Sequence, residues 1–274
     1  KIQLLNMISS ASQPLAGNIP TDKPLILITN DDGVDAPGIR QLALWTAALG
    51  TVIVVAPERQ HSGQSSAMTV AHPLRVCKRG ITNGVQFWAV SGTPVDCVKL
   101  GIHAILGRRP DMLLAGINHG SNSGVNVIYS GTMGAVMEGC LCGIPSIGYS
   151  YHDHDESASL QACREVVETI SPKVLASGLP SGICLNVNIP KCDKVKGIKI
   201  VRDARGYWTE GYEQYTDPMG QPFYWLTGSF VNTDPDNPDT DMYWSDRGYA
   251  SVVPTRPDQS APDQQETIAR LIGI

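Results

Sequence analysis

No apolar run in the 274 residues approaches the roughly 18 needed to cross a bilayer, so the chain reads as soluble, with no membrane partner. Dense blocks of lysine or arginine are missing too. With a formal charge of -5 and a pI near 5.6, a nucleic-acid polymer and an anionic membrane surface are both poor partners, and an anionic ligand has to be held locally. No Cys-x-x-Cys pair occurs. The seven cysteines, at 77, 97, 140, 142, 163, 184 and 192, are odd in number and lie mostly among apolar residues. They read as reduced core thiols of a cytoplasmic protein rather than a disulfide framework or a zinc site. The first residues lack a secretory signal: one lysine precedes a short apolar patch broken by Gln3 and Asn6. Met7 is read as the natural start, with residues 1–23 a leader outside the core. Internal repeats and long low-complexity segments are absent. Aromatic residues make up only 6% of the chain, so their concentration between Tyr207 and Trp225 is informative.

What is present is organised around Ile26-Leu27-Ile28-Thr29-Asn30-Asp31-Asp32-Gly33. The apolar run has the character of a strand covered on both faces, and the two acids cannot belong to its core. They must stand at its carboxyl end, the edge at which open α/β sheets bind ligands. Adjacent carboxylates repel unless a cation lies between them, so a divalent metal is one reading; a solvated turn is the other, since Asn-Asp-Asp-Gly is also turn chemistry. A helix with Ile39, Leu42, Trp45 and Leu49 on one face follows and stops at Gly50. Thr51 to Ala56 is a second strand, ending before the polar loop Gln60 to Ser66. Right-handed crossover brings that loop to the edge that carries Asp31 and Asp32. Asn83-Gly84 marks an antiparallel hairpin between Leu74–Cys77 and Val85–Val90. Thr93 should cap a helix, with Pro94 in the first turn and Asp96 at N3. Met112 to Ile117 is a third strand, emptying into Asn118 to Gly124. Another helix begins at Ser130-Gly131-Thr132 and stops at Gly143-Ile144-Pro145. Ser146 to Tyr149 is a strand, a helix runs from about Glu156 and breaks near Pro172, and Ile183 to Asn188 is the next strand. Beyond Pro190 the aromatic, Pro- and Asp-rich chain reads as an antiparallel excursion too aromatic to face water alone, and hence as a subunit contact.

The expected fold is therefore α/β: a Rossmann-like, three-layer, mostly parallel sheet with an antiparallel insert and a C-terminal extended hairpin. Residues 24–190 form the core with the metal site, and 191–274 the extension. Three strand ends bring together Asn30/Asp31/Asp32, Ser62 and its neighbours, and Asn118/Asn122. These oxygen donors suit Mg²⁺, Mn²⁺ or Ca²⁺ better than zinc. Within the second loop, Ser65 and Ser66 compete with Ser62 as the donor. The helix start at Ser130, Gly131 and Thr132 has the composition of an anion cradle, and a metal beside such a helix end is equipment for phosphate-ester hydrolysis. His61 and His119 adjoin the cage. His152-Asp153-His154-Asp155 looks like a ligand cluster, but alternating polar residues after a strand read as solvated surface.

Ile-Leu-Ile-Thr-Asn-Asp-Asp-Gly (26–33), Ala-Pro-Glu-Arg (56–59) with Ser62-Gly63, Ser-Gly-Thr-Pro-Val-Asp-Cys-Val (91–98), Ala-Gly-Ile-Asn (115–118) with Asn122, and Tyr-Ser-Gly-Thr (129–132) followed by Glu138-Gly139 resemble the SurE family of stationary-phase survival nucleotidases. The resemblance runs in order from about Leu25 to Pro190. It implies one divalent ion, Mg²⁺ or Mn²⁺, per subunit, held by Asp31, Asp32, Ser62 and Asn118. It puts Asn122, Ser130, Gly131 and Thr132 at the substrate phosphate, with Asp31, Asp32, Asn122 and Ser130 as the catalytic groups. The implied activity is hydrolysis of nucleoside 5′-monophosphates, with 3′-monophosphates and short polyphosphate as further substrates. The implied assembly is a homodimer or homotetramer through the C-terminal extension. Two rival readings fit less well. A Mg²⁺-binding receiver domain needs an aspartate where this chain has Ala115 to Asn118. A phosphatase with an aspartyl-phosphate intermediate usually shows Asp-x-Asp-x-Thr after the first strand, where this chain has Asp-Asp-Gly.

Overall fold

The computed structural model describes residues 13–155, 157–209 and 211–274. Met7 as a start, and Glu156 as the beginning of a helix, lie outside the described residues. In chain order the elements are β1 (Leu25–Thr29), α1 (Pro37–Thr46), β2 (Thr51–Pro57), β3 (Val76–Thr82), β4 (Val85–Val90), α2 (Pro94–Leu100), β5 (Met112–His119), α3 (Gly131–Leu141), β6 (Ser146–Tyr151), α4 (Gln161–Ser177) and β7 (Cys184–Ile189). There follow β8 (Ile198–Ile200), β9 (Gly206–Trp208), β10 (Gly211–Thr216), β11 (Pro222–Thr227), β12 (Phe230–Asn232), α5 (Asp241–Ser245), β13 (Ala250–Thr255) and α6 (Gln265–Ile272).

Nine strands form one sheet in the order β3-β4-β2-β1-β5-β6-β7-β13-β8. Strands β4, β2, β1, β5, β6 and β7 run parallel, as their apolar, doubly covered sequences require. All five residues of β1 are buried. Its side chains alternate between two cores. Ile26 and Ile28 pack with α1 and α4 residues such as Ile39, Leu42, Cys163 and Val167 on one face, while Leu25 and Leu27 pack with Cys97, Val98, Met133 and Val136 of α2 and α3 on the other. The result is the expected three-layer arrangement. Contact between α1 and the sheet is close enough that a Cβ at Gly38 would come 2.2 Å from the Ile117 carbonyl oxygen. Four of the seven cysteines, all of them free thiols, are buried.

The hairpin at Asn83-Gly84 forms, both turn residues having positive φ. Its second strand does more than close a hairpin: β4 also pairs parallel with β2 and so extends the central sheet. Thr93 makes the full capping box with Asp96, and Asp96 also accepts from Thr69 N. The fourth helix starts at Gln161 and passes through Pro172 to Ser177 instead of breaking there. Proline removes one helical hydrogen bond, but buried Val166, Val167, Ser171 and Val174 on both sides of it hold the helix on the sheet, and Tyr149 Oη lies 2.8 Å from Ser171 Oγ.

The chain after Pro190 does not leave the core altogether. β13 pairs antiparallel with β7, and β8 pairs parallel with β13, so the last strands complete the central sheet. Between them β10 and β11 form the extended hairpin, in register from Gly211 opposite Thr227 to Thr216 opposite Pro222, with Tyr212, Tyr224, Trp225 and Leu226 exposed. β9 pairs with β12 and lies back on the core beside residues 124–128. Among the described residues no helix is long and apolar enough to cross a membrane.

Candidate active site

Strand order reverses at β1, which has β2 on one side and β5 on the other. The loops leaving β1 and β5 therefore flank the crevice where doubly wound sheets bind ligands. In the first loop the turn and the acidic site turn out to be separate jobs. Asn30 does the turn chemistry: its Nδ2 donates to Gly33 O at 2.9 Å and its Oδ1 accepts from Gly33 N at 3.2 Å. Asp31 is thereby left to face a cavity of about 480 Å³, though only 4% exposed.

Ser62, Asn118, Asn122 and Ser130 line the same cavity. His61 N donates to Asp31 O at 2.7 Å, which ties the loop after β2 to the loop after β1. Within that second loop Ser62 and Ser65 are placed differently. Ser65 is a strut, with Oγ donating to Ile128 O at 2.6 Å and N donating to Tyr129 O at 3.0 Å, whereas Ser62 faces the cavity and accepts from Gln60 Nε2 at 2.9 Å. Asn118 arrives through a bulge: between Ala115 and Asn118, β5 carries one more residue than β6, and such an insertion re-aims the side chain that follows. Its Nδ2 donates to Gly120 O at 2.9 Å, which leaves the amide oxygen for the cavity. Asn122 is gripped from three sides. Its N donates to Asn188 Oδ1 at 2.8 Å, its O accepts from Asn186 Nδ2 at 2.9 Å, and its Nδ2 donates to Ser150 Oγ at 2.7 Å. Asn188 Nδ2 donates in turn to Asn186 Oδ1 at 3.0 Å.

Ser130 is the N-cap of α3, accepting from Met133 N at 3.0 Å, so its own hydroxyl proton stays available. The next two residues look toward Asp31. Thr132 Oγ1 donates to Asp31 Oδ1, and a Cβ at Gly131 would stand 2.8 Å from the Asp31 Cβ. Burial pushes the Asp31 carboxyl above its usual range, opposed by hydrogen bonds from the Thr132 hydroxyl and from the backbone of Asp31, Thr132 and Gly131. Asp32, Gly131 and Thr132 are not among the residues that line the cavity.

Among the described residues the lining contains Asp31 and Asp246 but no lysine or arginine. A phosphate ester, itself anionic, would meet net repulsion there unless a cation came with it. Among the described residues no three His, Cys, Asp or Glu side chains are placed to hold a metal, so an ion here would rely on the Ser62 hydroxyl and Asn118 amide oxygens beside the Asp pair. All of those donors are oxygen, and they fit a hard divalent cation.

His119 adjoins the site as expected, and His152 departs from the expectation. His61 pairs with Gln64 at 2.9 Å and does not line the cavity, whereas His119, His152 and His154 do. His152 is not solvated surface: its Nε2 lies 2.9 Å from Ser121 Oγ and 3.3 Å from Ser123 Oγ, and burial pulls its pKa down to about 4. The neighbouring acids point elsewhere, Asp153 to Lys191 at 2.8 Å and Asp155 to Ser157. The residues sequence reasoning missed are Asn126 and, from the C-terminal half, Trp208, Phe230, Met242, Ser245 and Asp246, which complete the cavity wall. Asp241 fixes them. Its buried carboxylate accepts from Gly124 N at 2.8 Å, Ala204 N at 2.9 Å and Met242 N at 2.7 Å, clamping the loop after β5 to the C-terminal chain.

Comparison with known proteins gives a consistent picture. The family described as "Survival protein SurE" matches residues 26–210. The 5'-nucleotidase SurE of Phocaeicola vulgatus is 45% identical over 240 residues, covering 88% of this chain and 93% of that protein. That of Christiangramia forsetii is 48% identical over 243 residues, with 87% and 93% covered. Among solved structures, the SurE protein from Aquifex aeolicus superposes with a TM-score of 0.77 at 38% identity, covering 91% of this chain and 100% of that one.

Proposed function

The chain belongs to the SurE family of survival proteins, and from that premise we propose that it is a 5′-nucleotidase, hydrolysing nucleoside 5′-monophosphates to nucleoside and inorganic phosphate with the help of one Mg²⁺ or Mn²⁺ per subunit. The observation that carries the proposal is the setting of Asp31: a buried carboxylate at the carboxyl end of β1 that shares one cavity with Ser62, Asn118, Asn122 and the N-cap Ser130, with no lysine or arginine among the described residues of the wall.

Asp31 and Asp32, with the Ser62 hydroxyl and the Asn118 amide oxygen, are the residues that would hold the ion. When bound, it would neutralise charge on the phosphoryl oxygens and favour ionisation of water. The protein's own part is positioning. Ser130 retains a hydroxyl proton, and Asn122 a second amide proton, for hydrogen bonds to phosphoryl oxygens. Gly131 and Thr132 serve the site first by fixing Asp31 and secondly through the positive end of α3, which favours an anion. The grip of Asn186, Asn188 and Ser150 on Asn122 keeps that donor in place before substrate arrives, so little ordering cost remains at the moment of reaction.

The same site should accept nucleoside 3′-monophosphates and short polyphosphate, since its polar end addresses only the phosphoryl group. We also propose a cytoplasmic protein and a homodimer or homotetramer assembled through the β10–β11 hairpin, whose Tyr212, Tyr224, Trp225 and Leu226 are exposed. A phosphate-release panel over 5′-nucleotides, 3′-nucleotides and tripolyphosphate, repeated with each metal after chelation, tests the activity. Release from 5′-nucleotides with either ion supports it, and release from none of the substrates refutes it.

A further inference from the structure

The polar cavity that holds Asp31 does not end at the metal and phosphate groups. Asn126, Tyr129 and Trp208 form a wall shared with a second cavity of about 460 Å³, whose remaining lining is Tyr212, Leu226, Thr227 and Gly228. One end of the combined cleft is oxygen-rich and the other is aromatic and apolar. Trp208 at the junction is held in place. Its Nε1 donates to Asn126 Oδ1 at 2.9 Å, its ring meets Phe230 edge-on with centroids 5.9 Å apart, and its strand β9 is paired with β12. Phe230 rests in turn against Gly124, whose amide Asp241 fixes. Trp208 is nevertheless 43% exposed, and neighbouring Tyr129 55%. A ring held in place yet part exposed where two cavities meet is prepared for stacking.

We propose that this aromatic end is the base subsite: the nucleobase of the substrate stacks on Trp208, flanked by Tyr129, while its phosphate occupies the polar end. The inference rests on the nucleotidase reading and adds to it how the leaving group is recognised. Because every base offers a π-face, stacking selects nucleotides over phosphate esters without a base and discriminates little between purine and pyrimidine. Trp208 does not belong to the β10–β11 hairpin proposed for assembly: it precedes that hairpin and is bonded to the residues 124–128 segment of its own core.

The test compares kcat/KM for AMP, CMP and ribose 5-phosphate in the wild-type protein, Trp208→Ala and Trp208→Phe. The wild type is expected to favour both nucleotides over ribose 5-phosphate. Trp208→Ala should lower that preference on the order of 5- to 100-fold, the worth of one base–aromatic stack, mainly through KM for the nucleotides, and Trp208→Phe should restore most of it. An unchanged preference in Trp208→Ala overturns the subsite, as does a wild type that treats ribose 5-phosphate and AMP alike. Turnover of none of the three by the wild type refutes the nucleotidase reading itself. If Trp208→Ala does not fold, inhibition of wild-type ribose 5-phosphate hydrolysis by adenosine decides: competitive inhibition supports the subsite, and none overturns it.

Discussion

Asn188→Ala is the substitution that best separates positioning from chemistry. Asn188 is fully buried in β7. Its Oδ1 satisfies Asn122 N at 2.8 Å, and its Nδ2 satisfies Asn186 Oδ1 at 3.0 Å. Truncation orphans both groups in a dry setting. Each buried orphan costs about 1–3 kcal/mol, so the variant should lose about 2–6 kcal/mol of unfolding free energy. The loop that carries Asn122 then also loses its anchor, and a displacement of the order of 1 Å at a substrate-holding group costs about 100-fold in rate. Urea unfolding reads the first effect, and kcat/KM on a nucleoside 5′-monophosphate, normalised to folded protein, reads the second. Asn186 grips the same residue through its carbonyl oxygen at 2.9 Å. The double variant Asn186→Ala/Asn188→Ala should therefore be non-additive, with a coupling of about 0.5–3 kcal/mol. Unaltered kcat/KM in a folded Asn188→Ala protein, or strict additivity with Asn186→Ala, would refute the reasoning.

Further outcomes follow from other parts of the structure. Asp241→Ala strips the acceptor from three backbone N–H groups and should cost about 3–5 kcal/mol; a loss under about 1 kcal/mol in urea unfolding would contradict the clamp. His152 has a folded pKa of about 4, below its ordinary 6.5. Its contribution to stability is therefore complete above pH 6.5 and is lost as the pH falls through 4, because the unfolded chain takes up the proton first. The shift corresponds to about 3 kcal/mol at most, and to about half of that for a ring still in partial contact with water. The stability advantage of wild type over His152→Gln should shrink by that amount between pH 6.5 and 4, and a constant difference would refute the shift. Gly38→Ala puts a Cβ 2.2 Å from the Ile117 carbonyl oxygen, so α1 or β5 has to move. Overpacking of this kind costs about 1–3 kcal/mol, and a thermal midpoint equal to wild type would show that the two elements yield freely.

Much of this arrangement was legible in the chain because it is local. The apolar runs of β1, β2, β5, β6 and β7 announce strands covered on both faces, each stops at a polar loop, and parallel connection then leaves those loops on one edge. Asn30 to Gly33 was ambiguous between a turn and an acidic site for a physical reason: adjacent residues do different jobs, with Asn30 closing the turn and Asp31 facing the cavity. Pro172 misled because propensity is a local signal, whereas burial of residues on both sides decides whether a helix continues. The grip on Asn122 had a visible signal, since Asn186 and Asn188 alternate in an otherwise apolar strand, where buried amides demand partners. Trp208 and Phe230 had none. They reach the cavity through pairing of β9 with β12 and packing on residues more than eighty positions earlier, which no periodicity encodes.

The most direct test of the central claim is phosphate release from a nucleoside 5′-monophosphate by the wild-type protein and by Asp31→Asn, each measured as purified, after chelation, and after Mg²⁺ or Mn²⁺ is returned. The account predicts wild-type turnover that vanishes on chelation and returns with the ion, and a folded Asp31→Asn protein whose rate stays more than about 100-fold lower throughout, exceeding the 10–100-fold penalties typical of residues that only support a metal's ligands. Turnover that survives chelation, or an Asp31→Asn protein with the wild-type rate, would contradict it.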